Sequence, residues 1–136
     1  MQRATPPRNV NPKELGPAAG FSHATVAGGT VWLGGQIGSD AAGKIPEPGD
    51  MVAQFARAIR NVSIALRAAG SAPEDTVKLT YYVTDMKAYK DNLQAIGSAY
   101  REVFGRHYPA TTLVEVRSLF EPKALVEIEA VAMCPS

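Results

Sequence analysis

The chain has 136 residues, of which 46% are hydrophobic and 20% charged, so it is long and apolar enough to bury the core of one domain without disulfides or metal. Its 14 basic and 13 acidic residues give a net charge of +1 with no basic run, which argues against a general electrostatic grip on nucleic acid. The single cysteine, Cys134, excludes an intrachain disulfide framework, and no stretch reaches the roughly 20 apolar residues of a membrane span.

The chain begins with a polar, proline-rich segment that carries no apolar core of signal-peptide length. We therefore expect a cytoplasmic protein with no membrane association, built as one domain over residues 1–136. Prolines discourage a helix over residues 1–18, so an extended lead-in is predicted there. Two β-prone runs, residues 22–27 and 30–35, flank the pair Gly28-Gly29 and predict a hairpin, and a loop rich in Gly and Pro follows over residues 38–50.

Two helices are predicted from apolar residues that recur at spacings of three and four. The first begins after Asp50, a suitable N-cap, and ends near residue 69 before Gly70. The second runs from about residue 86 to residue 104, and Gly105 ends it. Its apolar stripe consists of Leu93, Ile96, Tyr100 and Val103.

Three further strands are predicted, over residues 76–83, 110–117 and 125–132. In the first of them one face carries Val77, Leu79, Tyr81 and Val83. The order β-β-α-β-α-β-β predicts an α+β domain in which two helices are packed on one face of a mixed sheet. The other face carries apolar as well as polar residues, so we expect a partner to cover it in an oligomer.

Recognisable chemical motifs are few. There is no phosphate-binding loop, no dinucleotide fingerprint and no His/Cys cluster with metal spacing, so no cofactor and no metal are predicted. The two histidines, His23 and His107, lie in different segments and are expected to be hydrogen-bonded structural residues. Glu127 and Glu129 share one face of the last strand. Spacing alone favours a structural role, although an apolar setting raises the chance that one of them is functional.

Taken together, several segments resemble the RidA/YjgF family, whose older names include L-PSP endoribonuclease. The resemblance spans nearly the whole chain and depends on the order and spacing of all the segments rather than on one of them. They are residues 31–37 (VWLGGQI), 65–70 (ALRAAG), 76–85 (TVKLTYYVTD), 108–110 (YPA), 114–116 (VEV) and 126–130 (VEIEA).

The resemblance implies a chorismate-mutase-like fold and a homotrimer whose sheets form a central barrel, with small-molecule clefts between subunits. In active members the cleft is an imine deaminase site, a hydrolase that converts enamines and imines such as 2-aminoacrylate to a keto acid and ammonia. An arginine directly after the Pro-Ala step pairs with the substrate carboxylate, which suits a bidentate guanidinium. A glutamate that matches Glu127 positions or activates the water molecule. The sequence around Gly35 also matches the family.

The chain departs from this pattern at the cleft positions. Thr111 stands at the arginine position, Phe21 at a tyrosine, Gly97 at an asparagine and Gly34 at a serine. Each departure removes a polar group, and losing a charged partner of the substrate typically costs about 2–5 kcal/mol of binding. We therefore predict weak or no hydrolysis of 2-aminoacrylate. Arg106 and Arg117 are the candidates for a displaced cation.

Two functions are compatible with these residues. One is a deaminase in which Glu127 activates water against another, larger enamine or imine, with Phe21 stacked on a conjugated substrate. The alternative is a non-catalytic trimer that binds a small metabolite or a protein. Ribonuclease activity follows only from the old family name, and the balanced charge and the lack of an acid–base histidine pair argue against it.

Overall fold

The computed structural model describes residues 5–135, which form one seven-stranded sheet and three α-helices. None of these helices is both long and apolar enough to cross a lipid bilayer. The strands are β1 (Arg8–Val10), β2 (Ala24–Ala27), β3 (Thr30–Leu33), β4 (Gln36–Ile37), β5 (Thr76–Val83), β6 (Ala110–Glu115) and β7 (Val126–Met133). The helices are α1 (Met51–Ala68), α2 (Met86–Lys90) and α3 (Leu93–Phe104), and a 3₁₀ turn, Pro73–Asp75, precedes β5.

The sheet is mixed, with strand order β1-β2-β3-β7-β5-β6, and β4 also pairs with β7. Only β5 and β6 run parallel, because α2 and α3 form the crossover between them. The last strand, β7, is central: β5 lies on one side of it, and β3 and then β4 lie on the other. Any residue of β7 therefore meets neighbours from both halves of the chain.

The hydrophobic core lies between the sheet and the helices. The stripe of α1 packs fully buried residues, among them Phe55, Ile59 and Leu66, onto the alternating apolar residues of β5 and β7. Alternation along β7 sends Val126 and Ile128 into this core and Glu127 to the other face. The predicted α+β fold, with its helices on one face of a mixed sheet, is therefore confirmed.

The prediction of one continuous second helix is wrong, because this segment forms two helices, α2 and α3. Asp91 ends α2 and Asn92 begins α3. The Asn92 amide donates to the Ala88 carbonyl, and such side-chain bonds compete with the helical ladder. Leu93, predicted in the buried stripe, is instead 57% exposed, whereas Ile96 and Tyr100 are buried as expected.

Three further predictions need correction. The predicted extended lead-in contains β1, which pairs with β2 at the sheet edge, where prolines are tolerated beside a strand; residues 1–4 of it lie outside the described part. Val77, predicted to face the core, is 48% exposed, because a register shift between Thr76 and Lys78 turns Thr76 inward instead. The strand predicted over residues 110–117 ends at Glu115.

Gln54 joins the two loops that precede α1 and β7. Its side chain is fully buried, donates to the carbonyls of Glu47 and Lys123, and accepts from the Leu125 amide. A buried backbone group that loses its partner costs about 1–3 kcal/mol. This one amide therefore holds the start of α1 and the entry of β7 together.

We predict that Gln54→Met, which keeps the volume but removes the three hydrogen bonds, lowers the free energy of unfolding by about 2–3 kcal/mol. Urea unfolding followed by circular dichroism measures the change. The matched control is Gln94→Met on the exposed side of α3, where a change within about 0.5 kcal/mol is expected. Equal effects of the two substitutions would contradict the assigned role of Gln54.

Candidate functional site

The glycine pair 34–35 interrupts the pairing between β7 and the strand opposite it. From Trp32 to Gln36 the chain advances four residues while β7 advances three, from Val131 to Ile128, which is a β-bulge. A side chain on Gly34 would lie 2.8 Å from the Ser22 carbonyl oxygen, so the bulge requires a glycine there. Bulges of this kind are common beside active sites because they redirect nearby groups.

Gly35 leaves room for the carboxyl group of Glu127. A Cβ atom built on Gly35 would lie 2.5 Å from Cδ and 2.6 Å from Oε1 of Glu127, so the carboxyl rests directly against the glycine backbone. Partial burial raises the pKa of Glu127, and the neighbouring charge of Glu129 raises it further. A carboxyl with these properties can exchange protons closer to neutral pH than an exposed one.

Glu129 is held beside Glu127 by Tyr82. Tyr82 lies opposite Glu127 in the β5–β7 pairing, and its hydroxyl donates to Oε1 of Glu129 at 2.6 Å. This bond to a carboxylate raises the pKa of Tyr82. Because the bond restricts Glu129, the like-charged neighbour of Glu127 is ordered rather than free to swing into solvent.

His23 is a structural residue of the same region, as predicted. Its buried ring bonds the Gly16 carbonyl through Nε2 at 2.6 Å and the Gln36 amide through Nδ1 at 3.2 Å. Phe21 packs edge-on against this ring, with centroids 5.4 Å apart, and is 55% exposed. His107 likewise bonds a backbone carbonyl, that of Thr76.

These contacts define a first cluster, the carboxyl half-site, which consists of Phe21, Gly34, Gly35 and Glu127. The glycine pair and Glu127 are in direct proximity, and Phe21 is joined to them through His23, whose carbonyl accepts from the Gly34 amide at 2.9 Å. The four residues come from three separated parts of the sequence, and the β3–β7 and β4–β7 pairings bring them together.

Gly97 and Thr111 form a second cluster, the cavity half-site, in a surface cavity of about 360 Å³. The cavity lies between α3 and the start of β6. Thr111 has its hydroxyl bonded to the Pro109 carbonyl at 2.9 Å. The other lining residues are mostly aromatic or apolar: Phe55, Tyr81, Tyr89, Leu93, Ile96, Tyr100, Tyr108 and Pro109.

Arg101 is the charged residue of this cavity, and sequence reasoning missed it. Its Nη1 atom lies 3.1 Å from the position that a Cβ of Gly97 would occupy, and its Cζ and Nη2 lie 3.9 Å from it. The two arginines named as candidates from the sequence, Arg106 and Arg117, do not line the cavity. The signal that could have identified Arg101 is its spacing of four residues from Gly97, which puts both on one helix face.

The two half-sites do not meet within one chain. Thr111 lies beside Leu79 in the β5–β6 pairing and so shares the helix-covered face of the sheet. Glu127 lies beside Tyr82 and so points to the open face. A ligand that contacts both clusters would therefore need a second copy of the chain. Residues 5–135 contain no group of three or more His, Cys, Asp or Glu that could hold a metal ion.

Comparison with known proteins agrees with this architecture. The family model described as Endoribonuclease L-PSP matches residues 11–134. The chain belongs to this family, which is the RidA/YjgF family. It is 37% identical over 123 residues to a RutC family protein of Pyrococcus horikoshii, covering 89% of this chain and 90% of that one.

Two further relatives connect the family to a fold and to a chemistry. The crystal structure of the YjgF gene product from E. coli superimposes with a TM-score of 0.80 at 27% identity, covering 94% of this chain and 99% of that one. The 2-iminobutanoate/2-iminopropanoate deaminase of Capra hircus is 32% identical over 123 residues, covering 90% of this chain and 83% of that one. The RidA/YjgF family thus includes imine deaminases.

We predict that Glu127→Gln becomes more stable relative to the wild-type chain as the pH rises. Below the pKa of the unfolded chain, the Glu127 carboxyl is neutral in both states. As the pH rises through its raised folded-state pKa, the folded chain must carry a half-buried charge, and the free energy of unfolding falls. Glutamine never carries this charge, so the difference should grow between about pH 4 and about pH 7.

Thermal unfolding of both proteins at the two pH values measures this difference. Glu102→Gln, at an exposed position of α3, is the control and should show no comparable trend. A constant difference between Glu127→Gln and wild type across the range would mean that the Glu127 carboxyl is not shielded from water.

Proposed function

We propose that the chain is a homotrimeric hydrolase that deaminates an enamine or imine metabolite other than 2-aminoacrylate. The observation that carries the proposal is the half-buried Glu127 carboxyl lying against the Gly35 backbone. The deaminase name of the goat relative supports the same reaction class. The substrate would bind between subunits, with Phe21, Gly34 and Gly35 on one side of it and Gly97 and Thr111 on the other.

Imine hydrolysis needs a group that takes protons from water and returns them to nitrogen. Water adds its oxygen to the carbon of the C=N bond, and the C–N bond then breaks to leave a carbonyl compound and ammonia. Glu127 would pass both protons of the attacking water, one after the other, to the departing nitrogen. An enamine would first take a proton on its β-carbon and lose one from its nitrogen, which converts it to the imine. The raised pKa of Glu127 makes its carboxyl a better proton donor and acceptor for this exchange than an exposed carboxyl would be.

Thr111 is the reason to exclude 2-aminoacrylate as the preferred substrate. Its hydroxyl is committed to the Pro109 carbonyl and carries no charge to pair with a small carboxylate. A compact substrate therefore lacks its clamp at this position. We expect the chain to act on a larger molecule that reaches other groups of the cavity.

The trimer is supported by the open face of the sheet. Trp32, Val114 and Met133 are exposed there, and the register puts them on the face opposite the helices. Large apolar side chains that are exposed on one face of a sheet often mark a protein interface. A partner would also complete the site, because one chain does not bring its two half-sites together.

We predict that imino acids generated in situ by an L-amino-acid oxidase are hydrolysed faster in the presence of the chain. Glu127→Gln should lower this rate about 10²–10⁴-fold, the usual contribution of a general acid–base group. 2-Aminoacrylate should be hydrolysed slowly or not at all. Release of keto acid and ammonia, corrected for the uncatalysed rate, is the measurement.

Glu74→Gln, an exposed residue in the turn before β5, should leave the rate unchanged. If the chain accelerates hydrolysis of no imino acid but binds the keto-acid products measurably, the deaminase proposal is wrong. The chain would then be a non-catalytic metabolite-binding trimer.

Light scattering at micromolar concentration should give three times the mass of one chain. Trp32→Glu introduces a charge on the exposed face of β3 and should shift the mass towards the monomer. Lys13→Glu, at an exposed position between β1 and β2, is the control and should keep the wild-type mass. A monomeric wild-type chain would contradict both the trimer and a cleft between subunits.

A further inference from the structure

The guanidinium of Arg101 lies over Gly97 inside the cavity half-site. Side chains on a helix lean towards its N-terminus, and residues four apart share one face, so Arg101 reaches back over position 97. Gly97 offers no side chain in the way: its missing Cβ would stand 3.1 Å from Nη1 and 3.9 Å from Cζ and Nη2. The glycine thus gives the guanidinium a place beside the cavity wall.

The Arg101 charge has no acidic partner within the described chain. Residues 5–135 contain two ion pairs, Arg57 with Glu47 and Lys87 with Asp91, and neither involves Arg101. Most other side chains that line the cavity are aromatic or aliphatic. Arg101 is exposed, so an anion can reach its guanidinium directly from solvent.

The apolar part of the cavity indicates which other chemical group an anionic ligand would carry. Tyr108 is exposed and stacks on Tyr100 with ring centroids 5.5 Å apart and planes tilted by 14°. Leu93, also exposed, lines the same cavity. These side chains present apolar surface next to the guanidinium, and a bulky aliphatic or aromatic group would cover them on binding.

We propose that Arg101 binds the carboxylate of the substrate and that the cavity selects a 2-imino acid with a bulky apolar or aromatic side chain. In the family resemblance, an arginine at position 111 on β6 pairs with the substrate carboxylate. Arg101 would pair with the carboxylate instead, from the opposite wall of the cavity, which α3 forms. Gly97 and Arg101 would act as a pair, since a side chain at position 97 would displace the guanidinium. The inference rests on the proposed function for its substrate class.

The test uses two stable probes of nearly equal shape, 3-phenylpropanoate and its neutral amide 3-phenylpropanamide, in calorimetric titrations of the full chain. The wild-type chain should bind the carboxylate more tightly than the amide. Arg101→Gln should weaken carboxylate binding about tenfold or more while leaving amide binding unchanged, because only the charge-assisted bonds are lost. Arg101→Lys should recover part of the difference.

Two further variants separate a direct role from a structural one. Gly97→Leu should weaken carboxylate binding as Arg101→Gln does, since the new side chain occupies the place of the guanidinium; leucine also favours a helix more than glycine. Arg106→Gln removes an exposed arginine outside the cavity lining and should change neither affinity. Equal losses from Arg101→Gln and Arg106→Gln would overturn the proposal, as would equal losses for acid and amide.

Different results would refute the role of Arg101 and the deaminase activity. If hydrolysis depends on Glu127 but Arg101→Gln leaves carboxylate affinity and KM unchanged, the deaminase stands and Arg101 is not the clamp. If Arg101→Gln abolishes carboxylate binding but no imino acid is hydrolysed, the clamp stands and the chain is a binding protein. With imines of phenylalanine and alanine as substrates, preference for the smaller one would overturn the proposed selectivity.

Discussion

The pleat of β7 is the constraint on which the rest of the molecule depends. Because this strand is central, its alternating side chains must satisfy two environments at once. Val126, Ile128, Ala130 and Ala132 close the core beneath α1. Glu127, Glu129 and Val131 are left on the other face, so the packing that stabilises the fold also puts two carboxyl groups side by side.

The neighbours of β7 convert that placement into a candidate site. On one side the Gly34-Gly35 bulge removes the side chain that would collide with the Glu127 carboxyl. On the other side Tyr82 holds Glu129 through its hydroxyl. Glu127 is thereby half-buried, next to a restrained like charge, and its pKa rises for both reasons. Burial and the neighbouring charge thus both disfavour the ionised form of Glu127 in the folded chain.

The cavity between α3 and β6 combines apolar walls with one charged side chain. That charge comes from a helix, since Arg101 lies one helical turn beyond Gly97 and its guanidinium lies over that glycine. Gly97 leaves room for this guanidinium because it has no side chain. The core does not depend on the guanidinium, because Arg101 is exposed on α3.

Periodicity in the sequence was sufficient for the α+β architecture, for α1 and for the central strands, because the burial of apolar side chains follows the helical and strand repeats directly. It could not reveal the break at Asn92, the outward turn of Val77 or the pairing of β1, since each depends on a side-chain bond, a register shift or a distant strand. Glu127 and Gly35 could be named from family resemblance, but their direct contact comes from the β4–β7 register. The spacing of Arg101 from Gly97 puts the two on one helix face, but only the tertiary structure puts Arg101 at a cavity, because a cavity is defined by surfaces from several elements.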